Sequence, residues 1–420
     1  MNILITANYY HPETVGAGIW VTQLARDLKS RGHQVTVVTS FPSYPLGRIF
    51  DGYRNRFVYR EAVDGIDVIR TFTYATPSHS FGARFAAFGA FCLSAAPGYL
   101  RWRRPVDVVY AILPPLPLGV SAYAIAKTSG ARLVVDVQDI YPDIAVALNY
   151  LRNPAAVAFF RRMERWIYRR AERIVVISEG FRNNLLGKGV APEKVHIVPN
   201  WADPDEIVPG PADNAFRRET GTHNGELLVL YSGGLTHNAD MQPVLDAAAQ
   251  LRGLPIRFAI VGDGVQKRAL IERAASAGLE NVKFYPFQPI GRYGEALAAA
   301  DVTLVALNSA ATLASVPSKI YKQMAAARPI VAITNPGNEL SRLVMDAQCG
   351  VTVPPGDAER LAHVLRDALH RRAAFAEMGQ RGRAYLERNC SRKTCVARIE
   401  AVLVEACAES HTRSALAEIN

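Results

Sequence analysis

The hydrophobic positions fall into short continuous runs that alternate with stretches of helical period. Asn2–Ala7 and Gln34–Ser40 are apolar runs of strand length, and Trp20–Arg31 between them is apolar at helical spacing. Further runs at Val106–Ile112 and Arg132–Val137 flank another helical stretch. This alternation is typical of a parallel, doubly wound sheet. We therefore predict an α/β fold.

The pattern occurs twice along the chain. It stops near residue 200, where a segment rich in Pro, Asp and Asn has no period, and it restarts at Leu227–Ser232. We predict Rossmann-like domains at 1–200 and 216–390, a linker at 201–215, and C-terminal helices over 391–420. Open α/β sheets bind ligands outside the carboxyl ends of their strands. The loops after the strands are therefore the places to look for functional residues.

The net charge of +10 favours an anionic partner. Arginines cluster at 101–104 and 161–173, and solvated helix faces are the simpler explanation for both clusters. No nucleic-acid-binding motif accompanies them, so we expect no nucleic acid partner. The five cysteines form no CxxC pair, and the N-terminus reads as a strand rather than a signal peptide. We expect a cytoplasmic protein without a zinc site.

The segment 81–104 is apolar and aromatic, and it ends in a cluster of arginines around Trp102. Glycine and proline interrupt it, and its apolar part barely reaches the roughly 20 residues of a membrane span. Such a segment suits peripheral contact with an anionic membrane. Burial as a helix of the domain is the alternative.

Several loops at predicted strand ends carry groups that can hold a phosphate. Pro317 and Ser318 suit the start of a helix, whose first N–H groups have no partner, and Lys319 adds a cation beside them. The other phosphate candidates lie in glycine-containing loops, at Gly16, Gly18, Gly233, Gly234 and His237, and Val261–Gly264 is a further turn at a strand end. A plain capped helix and tight turns are the alternative interpretation of these loops.

Acidic residues follow a buried strand in the first domain. The sequence from Asp136 to Asp143 contains three carboxylates and the amide of Gln138. Asp139 or Asp143 has the chemistry to orient a hydroxyl or to accept its proton. Asp143 is equally suited to capping the helix that follows Pro142. No serine-hydrolase arrangement, Walker loop or HExxH motif occurs.

In this order, the motifs resemble those of the GT-B glycosyltransferases of retaining family 4, and among them the bacterial exopolysaccharide, O-antigen and capsule enzymes, such as colanic-acid and fucosamine transferases. The resemblance covers nearly the whole chain. It rests on the loop at Gly16–Gly18 and on Val137–Asp143, Ile177–Phe181, Val198–Asp203, Tyr231–Leu235, Val261–Gly264 and Val316–Tyr321.

The resemblance implies two Rossmann-like domains whose parallel sheets face each other across a cleft. The second would hold a nucleotide-sugar donor, with UDP as the expected nucleotide, and the first a glycan or polyprenyl-linked acceptor. It implies a retaining transfer that needs no metal and no cofactor, at the inner face of the cytoplasmic membrane. The C-terminal helices would pack back on the first domain.

The resemblance also assigns roles to residues. Asp139 would polarise the acceptor hydroxyl, with Gln138 standing where the family often has a histidine. The donor phosphates would be held by Gly16, Gly18, Gly233, Gly234, His237, Ser318 and Lys319. The nucleoside would be held by Gly262, Asp263, Phe287 and Lys322.

Two departures leave alternatives open. Ala314 and Lys322 stand where many family members carry glutamates, the second of which binds the ribose. A nucleotide-sugar 2-epimerase shares the two-domain architecture but needs acid/base groups around the sugar ring. A catalytically silent nucleotide-sugar-binding scaffold is the other alternative.

Overall fold

The computed structural model describes residues 1–13, 16–78, 81–147, 149–309 and 317–417, with backbone only for 81, 84, 290 and 409–417. These residues form two compact units. The first unit is Met1–Val198 together with the C-terminal segment from Val396, and the second is Pro199–Cys395. Ala314 lies outside the described residues.

The first unit contains a sheet of eight strands in the order β3-β4-β2-β1-β5-β6-β7-β8. All neighbouring strands are parallel except β3 and β4, which form an antiparallel pair at one edge. The strands are β1 Asn2–Thr6, β2 Gln34–Ser40, β3 Val58–Val63, β4 Ile66–Thr71, β5 Val108–Leu113, β6 Arg132–Val137, β7 Arg173–Val176 and β8 Val195–Ile197.

The β3–β4 pair was not predicted from the sequence. Most side chains of β3 are exposed or half-buried, since this strand lies at the edge of the sheet. Strand β5, by contrast, is buried at every position, as expected for a central parallel strand covered on both faces. The exposure of β3 explains why its pattern gave no strand signal, whereas β4 was missed although all but one of its positions are buried.

The helices of the first unit are α1 Ala17–Ser30, α2 Phe81–Arg101, α3 Leu118–Ser129, α4 Asp143–Ala147, α5 Pro154–Arg170 and α6 Glu179–Gly187. Helix α5 begins sharply because the Asn153 side chain accepts hydrogen bonds from the N–H groups of Ala155 and Ala156, with Pro154 at the first helical position. Helix α2 buries Phe91, Ala95 and Tyr99 in the core and exposes its other face. Among the described residues, no helix has the length and apolar character to span a membrane.

The second unit contains six parallel strands in the order β11-β10-β9-β12-β13-β14. They are β9 Leu227–Ser232, β10 Ile256–Val261, β11 Val282–Tyr285, β12 Val302–Ala306, β13 Ile330–Ile333 and β14 Gly350–Val353. The helices are α7 Ala215–Thr220, α8 Gln242–Gln250, α9 Lys267–Ser276, α10 Ile290–Ala299, α11 Lys319–Ala325, α12 Glu339–Asp346, α13 Ala358–His370 and α14 Arg372–Tyr385. Two parallel α/β sheets confirm the predicted fold class, although β14 and α12 were not predicted.

The last helix, α15 Arg392–Ala417, begins in the second unit and continues in the first. Within the first unit its acidic residues meet cations of the sheet layer. Glu400 lies 2.8 Å from Arg31 and 2.7 Å from His33, and Glu405 lies 3.1 Å from Arg173. These contacts attach the C-terminal helix to the first unit.

Candidate active site

In the second unit, the predicted phosphate-binding residues gather at the carboxyl end of β9. Lys319, the first residue of α11, is half-buried, and its Nζ lies 4.3 Å from the centroid of the Tyr231 ring. The same ammonium donates a hydrogen bond to the Tyr231 hydroxyl at 3.1 Å. Burial lowers the pKa of Lys319 from 10.5 to about 8. Among the described residues, no carboxylate forms an ion pair with it.

The glycines of this unit allow the loops to approach one another closely. A Cβ atom on Gly233 would lie 2.3 Å from the Lys319 Nζ, and one on Gly262 would lie 2.0 Å from the carbonyl oxygen of Gly233. The two loops are joined by hydrogen bonds from the Gly233 N–H to Val261 and from the Leu235 N–H to Asp263. One cluster is thus formed by Gly233, Gly262, Lys319 and Tyr231, and we call these four residues the lysine cluster.

Ser318 lies at the N-cap position of α11, but its side chain accepts no hydrogen bond from the helix. Its hydroxyl is exposed at the edge of the lysine cluster. Gly234 is also held here, because its carbonyl accepts a hydrogen bond from the Tyr231 hydroxyl at 2.9 Å.

Lys322, one helical turn after Lys319, is also half-buried. Its Nζ lies 5.3 Å from the centroid of the Tyr293 ring, and burial lowers its pKa, with Glu206 opposing the shift. Tyr293 is hydrogen-bonded in turn to Ser232 at the end of β9. Two lysines therefore lie on aromatic faces at the same strand end, a favourable position for a partly desolvated cation.

The remaining candidates of the second unit are more dispersed. The His237 side chain is exposed, and its backbone carbonyl accepts a hydrogen bond from Asn308 at 2.6 Å. Asp263 is exposed and bonds within its own loop, to the Gly264 N–H at 2.8 Å and to Lys267 at 3.5 Å. Phe287 is 55% exposed. For the described residues, no hydrogen bond or ion pair joins the side chains of His237 or Phe287 to the lysine cluster.

In the first unit, a buried network supports the end of β6. Asp136 is 1% exposed and accepts hydrogen bonds from the Tyr110 hydroxyl at 2.7 Å and from Gln138 Nε2 at 2.9 Å. Burial raises the pKa of Asp136 to about 7, and the two hydrogen bonds oppose the shift. In the structure the amide nitrogen of Gln138 therefore faces Asp136. The Gln138 carbonyl oxygen is then available to another partner.

Asp139 has a different environment from its two acidic neighbours. It is half-buried, and burial alone raises its pKa to about 7. No hydrogen-bond or ion-pair partner of its carboxyl group occurs within the described part of the chain. Asp143, in contrast, is 2.7 Å from Lys188 and 3.3 Å from Asn184. Of the two residues considered for proton chemistry, Asp139 is therefore the available one.

The glycine loop of the first unit is only partly described, since Thr14 and Val15 lie outside the described residues. Gly16 has φ 58° and precedes α1, with open space where a side chain would be. Gly18 is packed, since a Cβ there would lie 2.5 Å from the carbonyl oxygen of Glu13. Glu13 is buried and accepts hydrogen bonds from the N–H groups of Tyr10, Ser43 and Tyr44.

Sequence reasoning missed Tyr231, Tyr293 and Tyr110. Each is an aromatic residue in a strand or helix, and such residues usually belong to the core. Their role at the site becomes recognisable only when the structure shows which groups their hydroxyls contact. Among the described residues, no group of three His, Cys, Asp or Glu side chains has the arrangement to hold a metal ion.

Comparison with known proteins identifies the class. Residues 15–201 match the family model of the glycosyl transferase 4-like domain, and residues 213–385 match that of glycosyl transferases group 1. Both models describe glycosyl transferases, so the chain is a glycosyltransferase, and its two mainly parallel α/β units are those of the GT-B fold. The chain belongs to glycosyltransferase family 4, as its motifs indicated.

Individual relatives agree with this assignment. WcaI of Escherichia coli K12, named for a glycosyl transferase role in colanic acid biosynthesis, is 28% identical over 88% of this chain and 92% of its own length. WbjE of Pseudomonas aeruginosa, named as a glycosyltransferase, is 27% identical over 68% of this chain and 71% of its own. The structure of Anabaena HepE in complex with UDP has the same fold, with a TM-score of 0.71 at 17% identity, covering 96% of this chain and all of that one (100%).

Proposed function

We propose that this glycosyltransferase moves a sugar from a UDP-linked donor to a lipid-linked or membrane-bound glycan acceptor in surface polysaccharide synthesis. The transfer retains the anomeric configuration and uses neither a metal ion nor a cofactor, with the nucleotide sugar as co-substrate. The name of WcaI supports the pathway, and the UDP bound in HepE supports the nucleotide. The enzyme acts at the inner face of the cytoplasmic membrane.

The observation that carries the proposal is the uncompensated charge of Lys319. A half-buried ammonium that pairs with no carboxylate among the described residues is energetically costly, and an arriving anion removes that cost. The diphosphate of a nucleotide sugar is such an anion. Charge develops on its leaving oxygen during transfer, so a preorganised cation and nearby N–H groups lower the barrier. Gly233, Gly234 and Ser318 offer small or exposed surfaces for that approach.

The other donor residues complete the assignment. Lys322 contributes a second positive charge close to the lysine cluster and takes over the ribose contact that a glutamate makes in many relatives. Gly262, Asp263 and Phe287 receive the nucleoside, with the exposed Phe287 ring as a stacking surface. His237 contacts the phosphates from an exposed position. The loop at Gly16 and Gly18, in which Gly16 is exposed and Gly18 is buried, keeps its predicted phosphate-binding role.

The acceptor is bound by the first unit. Asp139 accepts the hydrogen bond of the attacking hydroxyl, because its carboxyl group has no other partner among the described residues. The Gln138 carbonyl oxygen accepts from a second hydroxyl, since Asp136 and Tyr110 hold its amide nitrogen inward. Tyr110 and Asp136 are thus positioning residues. The exposed apolar face of 81–104 brings the enzyme to the membrane where the acceptor resides.

The test is to incubate the purified protein with labelled nucleotide sugars and membrane extract, with and without EDTA. We expect label in the lipid fraction from a UDP-sugar, unaffected by EDTA and with the donor's anomeric configuration in the product. Lys319→Met should lower transfer by about 100- to 1,000-fold, whereas Lys283→Met, which changes an exposed lysine on the same sheet, should not. A 2-epimer formed without acceptor, or binding without turnover, would contradict the proposal.

A contrast between two buried tyrosines tests the acceptor assignment. Tyr110→Phe should raise the acceptor KM severalfold and leave the donor KM unchanged. Tyr99→Phe removes the hydroxyl of an equally buried residue, whose partners are the Arg104 carbonyl and the Ser129 hydroxyl, so it should change neither constant. Equal kinetics in both variants would remove the positioning role from Tyr110.

A further inference from the structure

Exposed aromatic side chains gather at the carboxyl edge of the sheet in the first unit. Tyr44 follows β2 and is 43% exposed, while Phe72 and Tyr74 follow β4 and are 41% and 50% exposed. Phe57, which is 58% exposed, precedes the antiparallel strand β3 and therefore lies at the same edge, where its carbonyl accepts a hydrogen bond from the Phe72 N–H at 3.1 Å. Single exposed aromatic residues are common, but a group of them at the strand ends of an α/β sheet marks a ligand surface.

Two tyrosine rings lie against each other at the end of this surface that is nearer to Asp139 in the order of the strands. Tyr9 follows β1, the neighbour of β2, and its ring centroid is 5.2 Å from that of Tyr44, with the ring planes inclined at 43°. We call Tyr9 and Tyr44 the tyrosine pair. The pair combines aromatic faces with phenolic hydroxyls, and a sugar likewise combines apolar C–H groups with hydroxyls.

The loop that carries Tyr44 is fixed by a buried carboxylate. Glu13 is 2% exposed, and its Oε1 accepts hydrogen bonds from the N–H groups of Ser43 and Tyr44 at 3.0 and 2.8 Å. Its Oε2 accepts a hydrogen bond from the N–H of Tyr10, the chain neighbour of Tyr9, at 3.3 Å. One side chain therefore holds the loops after β1 and β2 together, and with them both members of the tyrosine pair.

A buried cation fixes the same two loops. Arg70 of β4 is fully buried and donates hydrogen bonds to the backbone carbonyls of His11 and Ser40. It also forms an ion pair with Glu61 at 2.5 Å, and its guanidinium carbon lies 4.9 Å from the centroid of the Tyr53 ring. A charged side chain is buried at a large cost in free energy unless its polar atoms are satisfied, and here the backbone of both loops helps to satisfy them. These loops are thus held in one arrangement before a ligand arrives.

The tyrosine pair lies beyond the reach of a single sugar ring held at Asp139. Asp139 follows β6, and the strand order places β1 and β2 two and three strands away from β6. Adjacent strands are about 4.8 Å apart, so these separations are roughly 10 and 14 Å. A pyranose whose hydroxyl lies at Asp139 does not extend over this distance, whereas the next sugar of the same chain does.

We propose that the acceptor is an oligosaccharide of at least two sugars, and that the tyrosine pair binds the sugar next to the one that is glycosylated. The inference rests on the proposed transfer to a glycan and specifies the length of that glycan. The C–H groups on one face of a pyranose are weakly positive and pack on the negative face of an aromatic ring, while the phenols offer hydrogen bonds to its hydroxyls. Other glycosyltransferases must then place at least two sugars on the acceptor before this enzyme acts.

The first experiment measures the length of the product. The wild-type enzyme is incubated with labelled UDP-sugars and with lipids extracted from membranes into detergent, so that attachment to a bilayer plays no part. Mild acid then releases the saccharides from their lipid diphosphates, and chromatography determines their size. We expect the label in saccharides of three or more sugars. Label in a single sugar or a disaccharide would overturn the inference and leave the proposed transfer intact, whereas lipids without label would overturn both.

The second experiment tests the tyrosine pair in the same detergent assay. Tyr44→Ala should raise the acceptor KM about tenfold and leave the donor KM unchanged, whereas Tyr44→Phe, which keeps the ring, should stay within about twofold of the wild type. The matched control is Phe159→Ala, which removes an exposed aromatic ring from helix α5 and should change neither constant. An acceptor KM that is equal in Tyr44→Ala and the wild type would overturn the role of the pair.

A competitor distinguishes the sugar of the acceptor from its lipid. Saccharides released by mild acid from unlabelled membrane lipids should inhibit transfer by the wild type, and they should inhibit Tyr44→Ala about tenfold more weakly. Equal inhibition constants for the two proteins would assign the Tyr44 contact to the lipid chain and overturn the inference.

Discussion

Replacement of Lys319 by Met should make the protein more stable and inactive at once. A pKa of about 8 in the folded state, against 10.5 in the unfolded chain, means that burying the charged amine costs roughly 3 kcal/mol at pH 7. In the wild type, the contacts of Lys319 with the Tyr231 ring and hydroxyl offset part of this free-energy cost. The variant should therefore gain about 1 to 3 kcal/mol in free energy of unfolding at pH 7.

The stability difference between Lys319→Met and the wild type should depend on pH. Below pH 8 Lys319 is charged in both states, so the full cost applies to the wild type. As the pH rises from 8 to 10.5 the folded state releases its proton first, and the cost disappears. The stability advantage of Lys319→Met should accordingly shrink over this range. Urea unfolding at pH 7 and pH 10 measures it, with Lys283→Met as the control.

The activity of Lys319→Met, in contrast to its stability, should be lower than that of the wild type. Loss of the cation should lower kcat/KM for sugar transfer by about 100- to 1,000-fold, as for the loss of a preorganised donor at a developing charge. A variant that is less stable at pH 7, with a difference independent of pH, would refute the reasoning from burial. Wild-type transfer rates in the variant would refute the phosphate assignment.

Three further outcomes are expected. Because burial raises the pKa of Asp139 to about 7, wild-type kcat/KM should rise with pH through 7. The Asp139→Asn variant should lose this rise together with about 100-fold in rate. A variant with the same pH profile as the wild type would argue against the acceptor role of Asp139. Gly262→Ala places a Cβ 2.0 Å from a carbonyl oxygen and should lower the free energy of unfolding by more than about 2 kcal/mol in urea. Gly294→Ala, whose Cβ has no neighbour within 4 Å, should instead stabilise its helix by about 0.5 to 1 kcal/mol in the same assay. Lys188→Met leaves Glu164 buried without its ion-pair partner and should lower the free energy of unfolding by about 3 kcal/mol at pH 7. This loss of stability should shrink on acidification, as the Glu164 carboxyl becomes protonated. A loss that is the same at every pH would contradict the ion-pair account.

Much of the fold could be predicted because strand and helix periods are local properties of the chain. Strands such as β5 and β9 are buried at every position, so each appears as a continuous apolar run. The edge strand β3 gave no such signal, because most of its side chains face solvent. Lys319 could be identified as a candidate for a similar reason, since its neighbours Pro317 and Ser318 mark a helix start whatever the rest of the chain does.

The partners of the site residues could not be predicted in this way. Lys319 meets Tyr231 across 88 positions, and Asp136 meets Tyr110 across 26. The pattern of residues left both Asp139 and Asp143 open for proton chemistry, and the structure separates them because Lys188 and Asn184 contact Asp143.

By itself, the sequence determined the two α/β domains, the strand-end loops and the residue types available for binding an anion. The tertiary structure alone decided which carboxylate is available, how Gln138 is oriented, and that two lysines lie on tyrosine rings. The physical reason is the same in each case. Hydrophobic periodicity depends on neighbours along the chain, whereas desolvation, ion pairing and hydrogen bonding depend on neighbours in space, which are set by the order and register of the strands.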